Sequence, residues 1–245
     1  MKNSAERNYR VLAARPGLVR FRVMARESDL HIQAASDLSA LATELLLGCR
    51  ARLEAYIADH PLFAETLSPY PVSGPAPGIV REMAAAGEAA GVGPMAAVAG
   101  AVAQHVGREL ARSSAEVVVE NGGDVFVKLD GPFTTAIYAG ESPLSLRVGL
   151  RIDGRGGPIS ICTSSGTVGH SKSFGRADAA VVVARDCALA DALATALGNR
   201  IREPASIKAA LSWLEKIPQV IGGAAVMGKL FGAFGDLAVV NLPPA

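Results

Sequence analysis

The sequence predicts an α+β fold in which antiparallel sheets carry helices on one face. Two observations point there. Segments of alternating apolar and polar residues flank segments with apolar residues at helical spacing. The order strands, helix pair, strands also occurs twice, which predicts one domain of two lobes, about residues 1–130 and 131–245, each a ββααββ unit.

Taken in order, Tyr9 to Ala13 and Leu18 to Arg26 alternate around a Pro16-Gly17 turn, and Leu30 to Ala34 continues the pattern as a further strand. From Asp37 the period changes. Leu38, Leu41, Leu45, Cys49, Leu53 and Tyr56 recur at helical spacing, with Ser36 as the expected N-cap. A Pro- and Ser-rich connection, Ser68 to Pro77, leads to helices at Gly78 to Ala90 and Pro94 to Ala111, the second opening with proline in its first turn. Glu116 to Glu120 and Val125 to Leu129 read as a hairpin.

In the second half, strands are expected at Thr134 to Tyr138, Ser145 to Ile152, Pro158 to Cys162 and Ala179 to Ala184. Helices are expected from Cys187 to Arg200, capped by Asp186, and from Ser206 to Glu215. Two closing strands are placed near Ala224 to Phe231 and Leu237 to Asn241.

Composition narrows the function classes. A chain of 245 residues, 50% hydrophobic and 19% charged, is a globular body with enough core to need no disulfide or structural metal. A net charge of +1 argues against nucleic acid as a partner. Seven basic residues crowd the first 26 positions, but their alternation with Val19, Phe21 and Val23 describes the solvated face of a strand. The three cysteines form no CxxC, the usage of a reduced, cytoplasmic protein. The first 30 residues show no export pattern, and the uncharged run Ala89 to Gly107, broken by Pro94, Gln104 and His105, reads as a core helix, so no membrane partner is expected.

Three segments carry candidate chemistry. Thr163 to Arg176 packs six hydroxyl side chains, three glycines, His170, Lys172 and Arg176 into fourteen residues between two strands. Glycines let backbone N–H groups approach a ligand while hydroxyls and cations answer phosphate oxygens, so the stretch suits an anion; an ordinary polar loop is the other reading. Gly166 to Ser173 approaches the phosphate-loop pattern, but Ser171 stands where its second glycine belongs and a strand, not a helix, follows.

In Ala190 to Ala196, Asp191 and Thr195 stand one helical turn apart, a carboxylate and a hydroxyl of the kind that suits Mg²⁺ alongside phosphate and water. Packing through small residues, with Asp191 solvated near the helix start, explains the same spacing. Asn121-Gly122-Gly123-Asp124 is a hairpin turn whose glycines also leave room for a nucleotide. His31, His60 and His105 have no second metal-ligand type at useful spacing and read as structural.

NGGD, TSSG with a downstream histidine, and ADALATA occur here in the order in which they occur in the ApbE-like FAD:protein FMN transferases, and the chain resembles a cytoplasmic branch of that superfamily across about Pro94 to Arg200. The resemblance implies a duplicated T-fold-like architecture, with Asp191 and Thr195 as Mg²⁺ ligands. It also implies that Asn121, Gly122, Gly123 and Asp124 line a flavin nucleotide such as FAD. Its phosphates would then be held by Thr163, Ser164, Ser165, Gly166, Thr167, Gly169 and Ser171. His170 and Lys172 become the candidate catalytic residues, moving a proton and stabilising phosphate oxygens.

The chain also departs from the transferases. Their His-Ile-Ile-Asp-Pro signature is replaced from His170 onward by HSKSFG, and their Lys-Gly-bearing helix has Ala99-Gly100 and Gln104 here. The expected function is therefore Mg²⁺-assisted action on the pyrophosphate of a flavin nucleotide, with a non-catalytic flavin, pterin or purine binder and a structural homo-oligomer as alternatives.

Overall fold

The computed structural model describes residues 15–166 and 175–243. The expected strand at Tyr9 to Ala13 lies outside them. Eight strands form one antiparallel sheet in the order β1 (Val19–Ala25), β2 (Ser28–Ala34), β3 (Val117–Asn121), β4 (Asp124–Lys128), β7 (Ile159–Ser164), β8 (Ala179–Ala184), β9 (Val220–Met227) and β10 (Leu230–Gly235). A smaller sheet of β11 (Ala238–Asn241), β6 (Val148–Asp153) and β5 (Pro132–Ala136) lies across its other face. Strands from both halves of the chain thus share one sheet, joined where Val125, Phe126 and Val127 of β4 pair with Ile161, Ser160 and Ile159 of β7.

Helices α1 (Ser39–Asp59), α2 (Leu62–Glu65), α3 (Gly78–Ala90), α4 (Val98–Leu110), α5 (Cys187–Arg200) and α6 (Ser206–Leu214) cover the opposite face. Between helices and sheet sits the main core, with Leu30, Ile32, Leu46, Phe63, Met83 and Phe126 among its fully buried side chains. A second core, including Leu150, Ile152, Ile161, Val181 and Val183, fills the space between the two sheets. This double coverage explains β8: AAVVVA is buried at every position, and a strand covered on both faces needs no polar alternation.

Two boundaries correct the sequence reading. Ser36 does not cap α1; Leu38 occupies the N-cap position, and the Asp37 carboxylate accepts from the Ser39 N–H at 2.9 Å, so a local Asx contact sets the start. The single strand expected near Ala224 to Phe231 is two, β9 and β10, folded about Gly228 at φ +60°. The run from Val220 to Phe234, apolar but for Lys229, hid this turn. The helix from Pro94 also opens as a 3₁₀ turn, Pro94–Ala97, before α4 begins.

Candidate functional site

The described part of the site is a polar spot where the helix layer meets the centre of the large sheet. It depends on how closely α4 approaches α5. Asp186 caps α5, its Oδ1 accepting from the Leu189 N–H at 2.9 Å, as the sequence predicts. Gln104 of α4 is fully buried and locks the same helix start: its Oε1 accepts from the Cys187 N–H at 2.7 Å and its Nε2 donates to Asp186 Oδ2 at 2.9 Å. Gly100 makes the contact possible, since a Cβ there would lie 2.3 Å from the Cys187 carbonyl oxygen and 2.8 Å from Asp191 Cβ.

Asp191 does in this setting what α4 cannot do for itself. Ala97, the N-cap of α4, has no capping side chain; Asp191 Oδ2 accepts from the Gly100 N–H at 2.8 Å and caps the helix from outside. Asn121 fixes the same turn from the sheet side, its Nδ2 donating to the Ala99 carbonyl at 3.0 Å. Asp124 pairs with Asn121 across the Gly122-Gly123 turn, whose φ values of +69° and +118° require glycine. The Gly123 N–H donates to Glu120 Oε1 at 2.9 Å.

The electrostatics of the two aspartates are unusual. Burial pushes the Asp124 carboxyl up to about 7, with Glu120 adding repulsion against the lowering effect of the Cys162 thiol and the Thr163 N–H. Burial also drives Asp191 well above the carboxylate range, and Asp124 adds to it. Asp124 is 7% exposed and Ser164 8%, and Asp124 Oδ1 and Ser164 Oγ have no hydrogen-bond partner among the described residues. Buried oxygens of this kind are normally satisfied.

The Thr163–Arg176 segment leaves from the same region. Asp191, Thr195 and Gly198 fall within about 60° of one another around α5, on one face. At Gly198 that face meets the base of the segment. A Cβ on Gly175 would lie 1.7 Å from the Gly198 carbonyl oxygen, and one on Gly166 would lie 2.2 Å from the Gly175 carbonyl oxygen. Backbone bonds Gly166 N–H to Ala177 O, 2.9 Å, and Arg176 N–H to Ile201 O, 2.8 Å, tie the neck. Asn121, Asp124 and the Thr163–Gly166 stem thus lie at one end of the central strands β3, β4 and β7, and Asp191 and Thr195 on one face of α5, with Asp124 close enough to Asp191 to raise its carboxyl. Thr167, Gly169, His170, Ser171 and Lys172 lie outside the described residues.

A metal can be tested against this donor set. Among the described residues no group of three or more His, Cys, Asp or Glu side chains could hold a metal ion. The oxygens of Asp124, Ser164, Asp191 and Thr195 are hard donors, fitting Mg²⁺, which binds through one or two carboxylates and completes its shell with phosphate and water.

Some features escaped the sequence reading. Cys162 and Cys187, 25 residues apart, bring their sulfurs within 3.6 Å beside the aspartates as free thiols. Two of the histidines read as structural are tied into the helix layer: His60 stacks on Tyr56 at 4.1 Å, and His105 Nε2 lies 3.2 Å from Glu82 Oε2. No single helix among the described residues is long and apolar enough to cross a membrane. Two surface hollows, of about 490 and 220 Å³, lie away from the polar spot, by α6 and β10 and by Tyr70 and Arg81.

The profile of a protein family described as "AbpE bacteria" matches residues 10–215. The chain belongs to the ApbE-like family. Among its relatives are UPF0280 proteins of Methanocella arvoryzae, 43% identical over 86% of each chain, and of Methanococcus aeolicus, 38% identical over 90% of this chain and 91% of that one. The fold is also that of the apo flavinyl transferase ApbE of Pseudomonas stutzeri, TM-score 0.59 at 14% identity, covering 89% of this chain and 93% of that one. The ApbE protein of Thermotoga maritima gives a TM-score of 0.53 at 11% identity, over 88% and 96% of the two chains. The antiparallel sheets and one-sided helices expected from the sequence are thus the ApbE fold.

Proposed function

We propose that this ApbE-like protein is a Mg²⁺-assisted enzyme acting on the pyrophosphate of a flavin nucleotide, FAD being the substrate to test. One observation carries the reading: Asn121 and Asp191 bind the first turn of α4, Asp124 interacts with Asp191 and accepts from the Thr163 N–H of the 163–176 stem, and Asp124 Oδ1 and Ser164 Oγ lack partners among the described residues. In this reading Asp191, Thr195 and Asp124 hold the cation, which when bound neutralises charge on the pyrophosphate oxygens.

The Asn121–Asp124 turn, with Gly122 and Gly123, lies against the nucleotide, and Thr163 to Gly166 with Thr167, Gly169 and Ser171 present N–H and O–H donors to phosphate. Lys172 stabilises the phosphate oxygens. An acceptor hydroxyl, from protein or water, attacks the FMN phosphorus; its proton passes to His170, and the bond to the AMP oxygen breaks, releasing AMP. Each half of the large sheet runs two strands, a set of helices and two strands, with α1–α4 in the first half and α5 and α6 in the second, an order that supports the duplicated T-fold-like reading and its two lobes. Three unbridged cysteines support a reducing, cytoplasmic setting.

The test is incubation with FAD and Mg²⁺ and measurement of AMP release. Wild type should release AMP and Asp191→Asn should not, with unchanged circular dichroism showing that α4 remains capped. Absence of AMP from wild type refutes FAD cleavage. A second reading, non-catalytic nucleotide binding, is favoured by the commitment of Asp191 Oδ2 to Gly100; flavin retained without AMP release would establish it.

A further inference from the structure

The two edges of the large sheet are guarded differently. β1 carries Arg20 and Arg22, charges that discourage pairing with another chain, whereas β10 reads LFGAFG without a charge. Among the described residues β10 pairs only with β9, and beside it an open apolar hollow of about 490 Å³ runs under α6. Leu230 at the start of the strand is 52% exposed.

The outward hydrogen-bonding positions can be read from the register. The Asp236 N–H donates to Ile221 O, so in an antiparallel ladder positions 230, 232 and 234 also face β9, and Phe231 and Ala233 direct their backbone groups outward. We propose that β10 pairs with β10 of a second copy of this chain about a two-fold axis at Gly232. That register joins Phe231 of each copy to Ala233 of the other through four backbone hydrogen bonds. It sets Leu230 against Phe234 in a close, non-hydrogen-bonded pair, and it gives the axis to a residue without a side chain.

Charge supports the same symmetry. Lys229 and Asp236 flank the apolar strand at opposite ends, so an antiparallel copy brings the Lys229 turn beside the partner copy's acidic end. On the exposed face of α6, Lys208 and Glu215 border the hollow seven residues apart, and the two-fold turns the cationic end of one α6 toward the anionic end of the other. An unrelated peptide has no reason to match both pairs; a second copy matches both by symmetry.

Sedimentation over a concentration series tests this on the full chain. Wild type should reach twice the 25.2 kDa chain mass. Ala233→Pro removes only an outward N–H and should sediment as a folded monomer with unchanged circular dichroism. Lys208→Glu and Glu215→Lys should each weaken dimerisation about tenfold, and the double exchange should restore it. A wild-type monomer throughout, as when another part of this chain covers the edge, overturns the proposal, as does a dimer that Ala233→Pro leaves intact.

Discussion

Asp124→Asn should make the ligand-free protein more stable at neutral pH and reduce its pH dependence there, leaving the share that Asp191 contributes. The wild-type carboxyl rises from an ordinary 3.8 to about 7 through burial and the nearby Glu120. The folded state therefore binds a proton that the unfolded chain releases. Stability is full below about pH 4 and declines as pH climbs through about 7. At 1.36 kcal/mol per pH unit, the span between 3.8 and about 7 caps the loss at about 4 kcal/mol.

Asparagine keeps an acceptor for the Thr163 N–H and carries no charge, so the variant should escape most of that loss. Urea unfolding at a series of pH values measures it. Wild-type midpoints should fall between about pH 4 and pH 8, and the variant's should fall less steeply, keeping only the share that the buried Asp191 carboxyl contributes. Parallel curves for the two proteins would refute the buried-acid argument.

Three further outcomes follow from the same geometry. Gly100→Ala should cost about 3 kcal/mol, because its Cβ meets the Cys187 carbonyl and must push α4 from α5; urea midpoints and loss of nucleotide binding together report it. Asp186→Ala removes the cap of α5 and a partner of Gln104, for a loss of about 1–2 kcal/mol in thermal or urea unfolding. Gln104→Leu leaves the buried Cys187 N–H without its acceptor and should lose about 1–3 kcal/mol, whereas Gln104→Glu should retain the Cys187 contact while placing a third carboxylate beside Glu82 and Asp186; hydrogen exchange at the start of α5 separates the two.

Local signals were readable from the sequence alone. Asn121-Gly122 announced the β3–β4 turn, and Asp186 announced the start of α5, because both are chemistry between near neighbours. The juxtaposition of the two motifs was not readable. Asp191 meets Gly100 across 91 residues, and Gln104 meets Cys187 across 83, so their roles exist only after the helices pack. Gly100 left a faint trace, a glycine inside a helix that propensity alone disfavours. Gly228 left less: without an Asn-Gly or Asp-Gly pair, and amid an apolar run, it did not separate β9 from β10.

The three glycines at the neck, Gly166, Gly175 and Gly198, let the two ends that flank residues 167–174 meet in close backbone contact on the scaffold. Closing a somewhat longer span over the same clamp adds only about 0.6 kcal/mol per doubling of its length. Such a chain can exchange that octapeptide for another while the scaffold beneath stays as it is.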